Sequence, residues 1–202
     1  MQFIKKINGN HGPTRVFVGG VHGKEGLTTI EPLKQLSQMD VLNGKLILFN
    51  CPESKYISTL DPDYYQTKMG QTIIKIIEKY RPEIYVELHC YKPSSYQKLI
   101  NLNRKDEAGV PPLIELEEGV LISSVAPYLR TELFKRDDVC ITLEMPCNPS
   151  ENSKKVYFEI MQQIATSNNR KEFEAKLRVK YPKQVERARI YAAEFFGEYP
   201  SF

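Results

Sequence analysis

Short apolar runs alternate with stretches of helical periodicity through residues 1–150, the pattern of an α/β domain. The first clear strand is Arg15 to Val18, closed by Gly19-Gly20. Helical spacing follows from about Glu25 to Gln38, with Pro32 tolerable only near a first turn or at a kink. The turn signal Asn43-Gly44 introduces a second strand, Lys45 to Asn50. A long polar loop, Pro52 to Tyr65, leads to a helix carrying Ile73, Ile74, Ile76 and Ile77, which the breaker Arg81-Pro82 stops. A third strand is predicted over Ile84 to Cys90 and a fourth over Gln97 to Leu102, with a turn-rich loop from Tyr91 to Ser95 between them. Pro112 to Glu117 reads as a further strand and Leu121 to Tyr128 as a helix, and Val139 to Glu144 alternates as a strand should.

After Pro146 and Pro149 the texture changes to three helical segments, at about Ser153 to Ala165, Lys171 to Lys180 and Lys183 to Phe196. Val156, Ile160, Met161 and Ile164 fall on one stripe, and Val185, Ala188, Ala192 and Phe195 on another. Such stripes need a surface to cover. The expectation is one domain over residues 1–202, in which an α/β core (1–150) carries a helical C-terminal segment (151–202) packed on it.

With 41% hydrophobic and 26% charged residues in a chain of 202, the composition excludes fibrous, disordered and small disulfide-scaffold classes. No run approaches the roughly 18 apolar residues of a membrane span, and mean hydropathy is −0.42, so no membrane partner is expected. The start, MQFIKKINGNHG, meets Asn and Gly where a signal peptide places its apolar stretch; a cytoplasmic location is expected. Four cysteines (Cys51, Cys90, Cys140, Cys147) form no CxxC pair, and reduced, mostly buried thiols are expected. The net charge is +3, and residues 151–202 hold ten of the 28 Lys and Arg but seven of the 25 Asp and Glu. The excess therefore lies in the C-terminal segment. Without interleaved aromatics or a reading motif it predicts a solvated helix face and no nucleic-acid partner.

Three histidines are present. His11 sits in a turn cluster. His22 lies in Gly19-Gly20-Val21-His22-Gly23-Lys24-Glu25-Gly26, just beyond a buried strand and at the mouth of a helix, where ligands bind in open α/β sheets. Glu25 is three residues on, so on one turn both side chains emerge on the same side. His89 ends the Ile84 to Cys90 strand in a matching position. Two imidazoles and one carboxylate with a vacant fourth position is the donor set of a zinc hydrolase. In Cys140-Ile141-Thr142-Leu143-Glu144-Met145 an acid ends an apolar strand, where burial is costly unless the carboxylate faces a polar site; a general base is one such occupation.

These residues resemble a family. His22-Gly23-Lys24-Glu25, the strand end Glu87-Leu88-His89 and the strand end Thr142-Leu143-Glu144 are similar to the zinc carboxypeptidase superfamily, and most to its aspartoacylase and succinylglutamate desuccinylase branch, over about residues 14–146. The chain's size and overall look resemble the short, uncharacterised archaeal relatives of that superfamily. The resemblance implies a mixed, mostly parallel sheet flanked by helices, zinc held by His22, Glu25 and His89, and Glu144 activating water to cleave an amide in a small molecule or peptide. Members usually carry Asn-Pro after the second strand, then an arginine, then an Asn-Arg pair that grips a substrate carboxylate. Here Asn50 and Lys55 stand near the first two positions, as candidate helpers of a developing oxyanion, and Asp63-Tyr64 replaces the Asn-Arg pair. Tyr64 is then the candidate substrate contact, and a free carboxylate held in the usual way is not expected, since an acid and a phenol cannot replace a guanidinium fork. Lys92 and Arg104, after His89, are the cations that could bind an anion from another direction. The rival to the enzyme is a non-catalytic metal- or ligand-binding protein on the same fold, its substrate grip degenerate. Nothing in the sequence sets the oligomeric state.

Overall fold

The computed structural model describes residues 2–40, 43–197 and 199–202. Seven strands form one sheet: β1 (Gln2–Asn8), β2 (Asn10–Gly19), β3 (Asn43–Asn50), β4 (Ile84–Tyr91), β5 (Ile114–Glu115), β6 (Leu121–Ser124) and β7 (Val139–Pro146). Their order is β1-β3-β2-β4-β7-β6-β5. The four central strands are parallel, whereas β1 pairs with β3, β6 with β7 and β5 with β6 antiparallel. The sheet is thus mixed and mostly parallel in its centre, flanked by helices, with further helices at the C-terminal end. All eight residues of β4 are buried, which is why that strand reads as a nearly unbroken apolar run: helices cover both faces of a parallel sheet.

The helices are α1 (Gly26–Leu36), α2 (Lys68–Tyr80), α3 (Tyr96–Ile100), α4 (Arg104–Ala108), α5 (Pro127–Glu132), α6 (Glu151–Ala165), α7 (Arg170–Lys180) and α8 (Pro182–Phe196). Strand alternation divides the interior in two. Phe17, Leu48, Val86, Leu88 and Leu143 pack with Leu33 and Leu36 of α1 and with Val156, Ile160 and Ile164 of α6. Val16, Val18, Ile47, Tyr85 and Cys140 face the other way, onto Ile73, Ile76 and Ile77 of α2. Each such side chain, fully withdrawn from water, contributes roughly 1.5–3 kcal/mol before entropy is counted. Helix α2 starts where Thr67 accepts the N–H of Gly70 and ends where Arg81 turns left-handed (φ 43°) before Pro82, at the Arg81-Pro82 stop the sequence predicts.

The chain runs from β2 through α1 to β3 on one side, then from β3 through α2 to β4 on the other side of β2. Right-handed crossovers in opposite directions put α1 and α2 on opposite faces, and the crevice this opens at the carboxyl ends of β2 and β4 is the topological switch point.

Several expectations are corrected. Gln97 to Leu102 is not a strand: Tyr96–Ile100 is the short helix α3. Leu121 to Tyr128 is not a helix. It is β6 followed by the start of α5, which Pro127 initiates, and the β6 residues have partners in β7 that outweigh their helical spacing. Strand β1 lies where the sequence pattern predicts no element. Cys90 and Cys147 are joined in a disulfide, whereas Cys51 and Cys140 are free and buried; the expectation of four reduced thiols fails for the first pair. Among the described residues no helix is long and apolar enough to cross a membrane.

Candidate metal centre

The turn that carries His22 is fixed by close packing. Gly20 adopts φ 70°, and a Cβ on Gly20 or Gly26 would lie 1.7 or 1.8 Å from the carbonyl oxygen of Cys51, so both positions exclude any larger residue. Three further hydrogen bonds hold the loop. Tyr64 Oη donates to the carbonyl of Val21 at 2.8 Å, Ser54 Oγ donates to the same oxygen at 3.1 Å, and the Ser54 amide donates to the Gly23 carbonyl at 2.8 Å. Glu25 stands at the N-cap of α1, where the helix dipole favours a carboxylate.

On that scaffold Glu25 faces both imidazoles: His22 Nδ1 is 3.4 Å from its Oε1 and His89 Nδ1 3.2 Å from its Oε2. The ligand atoms of His22, Glu25 and His89 all lie within 4.8 Å of one another. Glu25 is 6% exposed and His89 3%. Glu144 is the direct register partner of His89 on the neighbouring strand. Alternation along β4 puts Glu87 beside His89 as well, fully buried, with His89 Nε2 at 3.5 Å from Glu87 Oε2 and Tyr85 Oη donating to Glu87 Oε1 at 3.0 Å.

Three carboxylates therefore surround two imidazoles, with Glu25, Glu87 and His89 buried and His22 and Glu144 half-buried. Burial pulls the His89 pKa down, but Glu25, with Glu87 and Glu144, more than offsets this and raises it well above its ordinary value. His22 is pulled down by burial and by the neighbouring His89. Burial lifts Glu144 to about 7, with His89 and Arg104 opposing and Glu25 assisting. A cation is what this cluster lacks. His22 Nδ1 and Glu87 Oε2 are buried without a hydrogen-bond partner, and the donor set, two imidazole nitrogens and a carboxylate, suits a borderline-soft divalent ion such as zinc. The residues present fit a metal. His22, Glu25 and His89 would hold it, and Glu87 would orient His89 from behind, the usual place for such a carboxylate.

The cluster opens into a cavity of about 890 Å³, whose lining includes His22, Glu25, His89, Arg104, Thr142 and Glu144. The other candidates do not reach it. Asn50 ends β3 on the α1 side of the sheet, where it accepts from Thr29 Oγ1 at 2.9 Å and donates to the Gly26 carbonyl at 3.1 Å; it braces α1, because the period of two puts it on the face away from His89. Lys55 is exposed and does not line the cavity. Tyr64 is 1% exposed, and its hydroxyl is committed to Val21; it supports the His22 turn and does not line the cavity. His11 is exposed, near the amino end of β2. Two contributors escape the sequence reading: Glu87, whose i, i+2 spacing from His89 marks it as sharing a strand face, and Tyr56, whose ring stands edge-on to His22 with centroids 5.3 Å apart. No local signal marks Tyr56.

The fold and site together define an α/β protein with a His-Glu-His cluster at the carboxyl edge of its parallel strands. Over residues 10–197 the chain matches the family described as "Uncharacterized protein conserved in archaea (DUF2119)", and it belongs to that family. It is 38% identical over 197 residues to "Uncharacterized protein MJ0501" of Methanocaldococcus jannaschii, with 95% of each chain covered. Among solved structures it is similar to a metallo-carboxypeptidase from Pseudomonas aeruginosa in complex with (2-guanidinoethylmercapto)succinic acid, with TM-score 0.45 and 11% identity. That match covers 87% of this chain, which spans 60% of the other protein's length.

Proposed function

We propose that the protein is a zinc-dependent hydrolase of an amide bond, in the manner of the zinc carboxypeptidase superfamily that its motifs resemble, acting in the cytoplasm on a small molecule or a peptide. The observation that carries this reading is the convergence of His22, Glu25 and His89 within 4.8 Å, with Glu144 as register partner of His89, at the floor of one cavity. A bound zinc would polarise the scissile carbonyl and make water a competent nucleophile near neutral pH. Glu144, in register with His89 and lining the same cavity, is placed for general-base work. It takes the proton of the attacking water and delivers it to the departing amine nitrogen. Glu87, held by Tyr85 and 3.5 Å from His89 Nε2, would orient the His89 ring, and the hydrogen bonds to Val21 and Gly23 fix the His22 turn.

One observation favours the rival, non-catalytic reading: Asn50, Lys55 and Tyr64 do not face the cavity, so the superfamily's usual substrate grip is not rebuilt from them. A panel of N-acyl amino acids, N-acyl amines and short peptides, incubated with zinc-loaded protein, decides between the two. Hydrolysis that is abolished in Glu144→Gln supports the enzyme. A zinc-loaded protein inert across the panel supports the binding protein.

A further inference from the structure

We infer that Tyr56 is a positioning residue for His22, its ring holding the imidazole in the orientation that meets Glu25 and His89. The inference deepens the hydrolase reading and rests on His22, Glu25 and His89 forming a metal centre. The two imidazoles are held unequally. His89 is buried and has a carboxylate oxygen near each ring nitrogen, Glu25 at 3.2 Å from Nδ1 and Glu87 at 3.5 Å from Nε2. His22 is half-buried and pairs with one carboxylate among the described residues, Glu25 at 3.4 Å from Nδ1. A ligand held from one side keeps rotational freedom, and rotation carries its nitrogens out of the geometry an ion needs.

Tyr56 supplies the missing side. Its ring stands at 88° to the His22 ring with centroids 5.3 Å apart, the favoured perpendicular arrangement of an aromatic pair. Tyr56 is 79% exposed, so burial does not place it; its neighbours do. Two residues earlier, the Ser54 amide donates to the Gly23 carbonyl at 2.8 Å and the Ser54 hydroxyl to the Val21 carbonyl at 3.1 Å. One residue later, Ile57 packs against the core on the α2 side of the sheet. Between these anchors the ring lies on Gly23, where a Cβ would come within 2.8 Å of Tyr56 Cδ2. A side chain at position 23 would displace the ring, and glycine leaves the place open. Tyr64 thus braces the backbone of the turn through Val21, and Tyr56 braces the ligand's ring.

The test has two readouts on the full chain. The first is the imidazole proton–carbon NMR spectrum of the metal-free protein, which holds three histidines whose signals are assigned by replacing each in turn. Tyr56→Ala should move the His22 signals and leave those of His11 in place, and Tyr56→Phe, which keeps the ring, should restore the parent positions. The second is zinc affinity by competition with a chromogenic indicator. Tyr56→Ala should weaken it about three- to tenfold, the scale of one perpendicular aromatic contact, while Tyr56→Phe stays within about twofold of the parent. Circular dichroism checks folding, and Tyr56→Leu, apolar but without a ring, serves should the alanine variant unfold; it should behave as alanine in both readouts. His22 signals unmoved in the ringless variants, or a phenylalanine variant as impaired as alanine, overturns the inference. Parent protein that takes up no zinc overturns the hydrolase reading, and the His22 signals then decide the inference alone. Zinc uptake by a Tyr56→Ala protein with parent affinity and unmoved His22 signals overturns the inference and leaves the metal centre standing.

Discussion

His89 of β4 and Glu144 of β7 are paired residues on adjacent parallel strands, so two side chains that lie 55 positions apart in the chain project from the same face of the sheet at neighbouring points. The pairing joins a candidate metal ligand to a candidate base through backbone hydrogen bonds, the most rigid connection a fold offers. Glu144→Gln should therefore keep the fold and the metal but lose at least about two orders of magnitude in turnover, the scale for removal of a general base. Parent-like turnover on any identified substrate would make Glu144 a structural residue.

In the metal-free protein Glu144 and His89 lower stability as pH rises, and they outnumber His22, whose lowered pKa works the other way below 6.5. Glu144 is raised from 4.5 to about 7 in the fold, so between those values the folded state holds a proton that the unfolded state has lost, and stability falls as pH rises. His89, also raised, extends the fall above its ordinary value of 6.5. Thermal unfolding between pH 5 and 8 in the presence of a chelator should show a declining midpoint, and Glu144→Gln should flatten its lower half. A midpoint that climbs steadily over this range would contradict the placement of both groups.

Much of this fold is legible in the sequence because its pattern is redundant. Val139 to Glu144 alternates, Lys45 to Asn50 follows a turn signal, and α2 has a cap, a stripe and a proline stop; each is recoverable from several independent cues. The failures lie where tertiary partners decide. Leu121–Ser124 is a strand because β7 offers it an edge, and Tyr96–Ile100, whose Gln97, Lys98 and Leu99 are good helix formers, is a short helix. The ligand set can be read because His22 and Glu25 lie in the turn between the end of β2 and the start of α1 and His89 lies near the end of β4, and the carboxyl ends of neighbouring parallel strands converge. Asn50 also sits at a strand end, yet it points to the opposite face, a difference of one residue in register that motif matching cannot see.

Glu87 should act through His89. Glu87→Gln removes the buried carboxylate behind the imidazole while keeping its shape, and metal affinity should fall about 10- to 100-fold, the range for such supporting partners. Competition with a chromogenic zinc indicator measures it, and unchanged affinity would show that the 3.5 Å approach of Glu87 to His89 does no orienting. Tyr85→Phe, which deletes the hydroxyl bonded to Glu87, should have a smaller effect in the same direction.

The Cys90–Cys147 bridge spans 57 residues and ties the ends of β4 and β7 beside the site. Thiol titration of the denatured, unreduced protein should find the two free cysteines, Cys51 and Cys140. Cys147→Ser should lower unfolding free energy by ~2–4 kcal/mol, as expected when a loop of this order is released. Four reactive thiols would show that the pair is reduced in the protein as isolated.

Metal content tests the central claim most directly. Protein purified without chelator and without nickel affinity resin, dialysed against limiting zinc and analysed by inductively coupled plasma mass spectrometry, should hold about one zinc per chain, because the described residues supply one cluster of this kind and three protein ligands with one open position define a catalytic zinc site. His89→Ala should hold essentially none, since the two remaining ligands make a weak site. Full zinc occupancy in folded His89→Ala, or no zinc in the parent, would contradict a metal centre built on His22, Glu25 and His89.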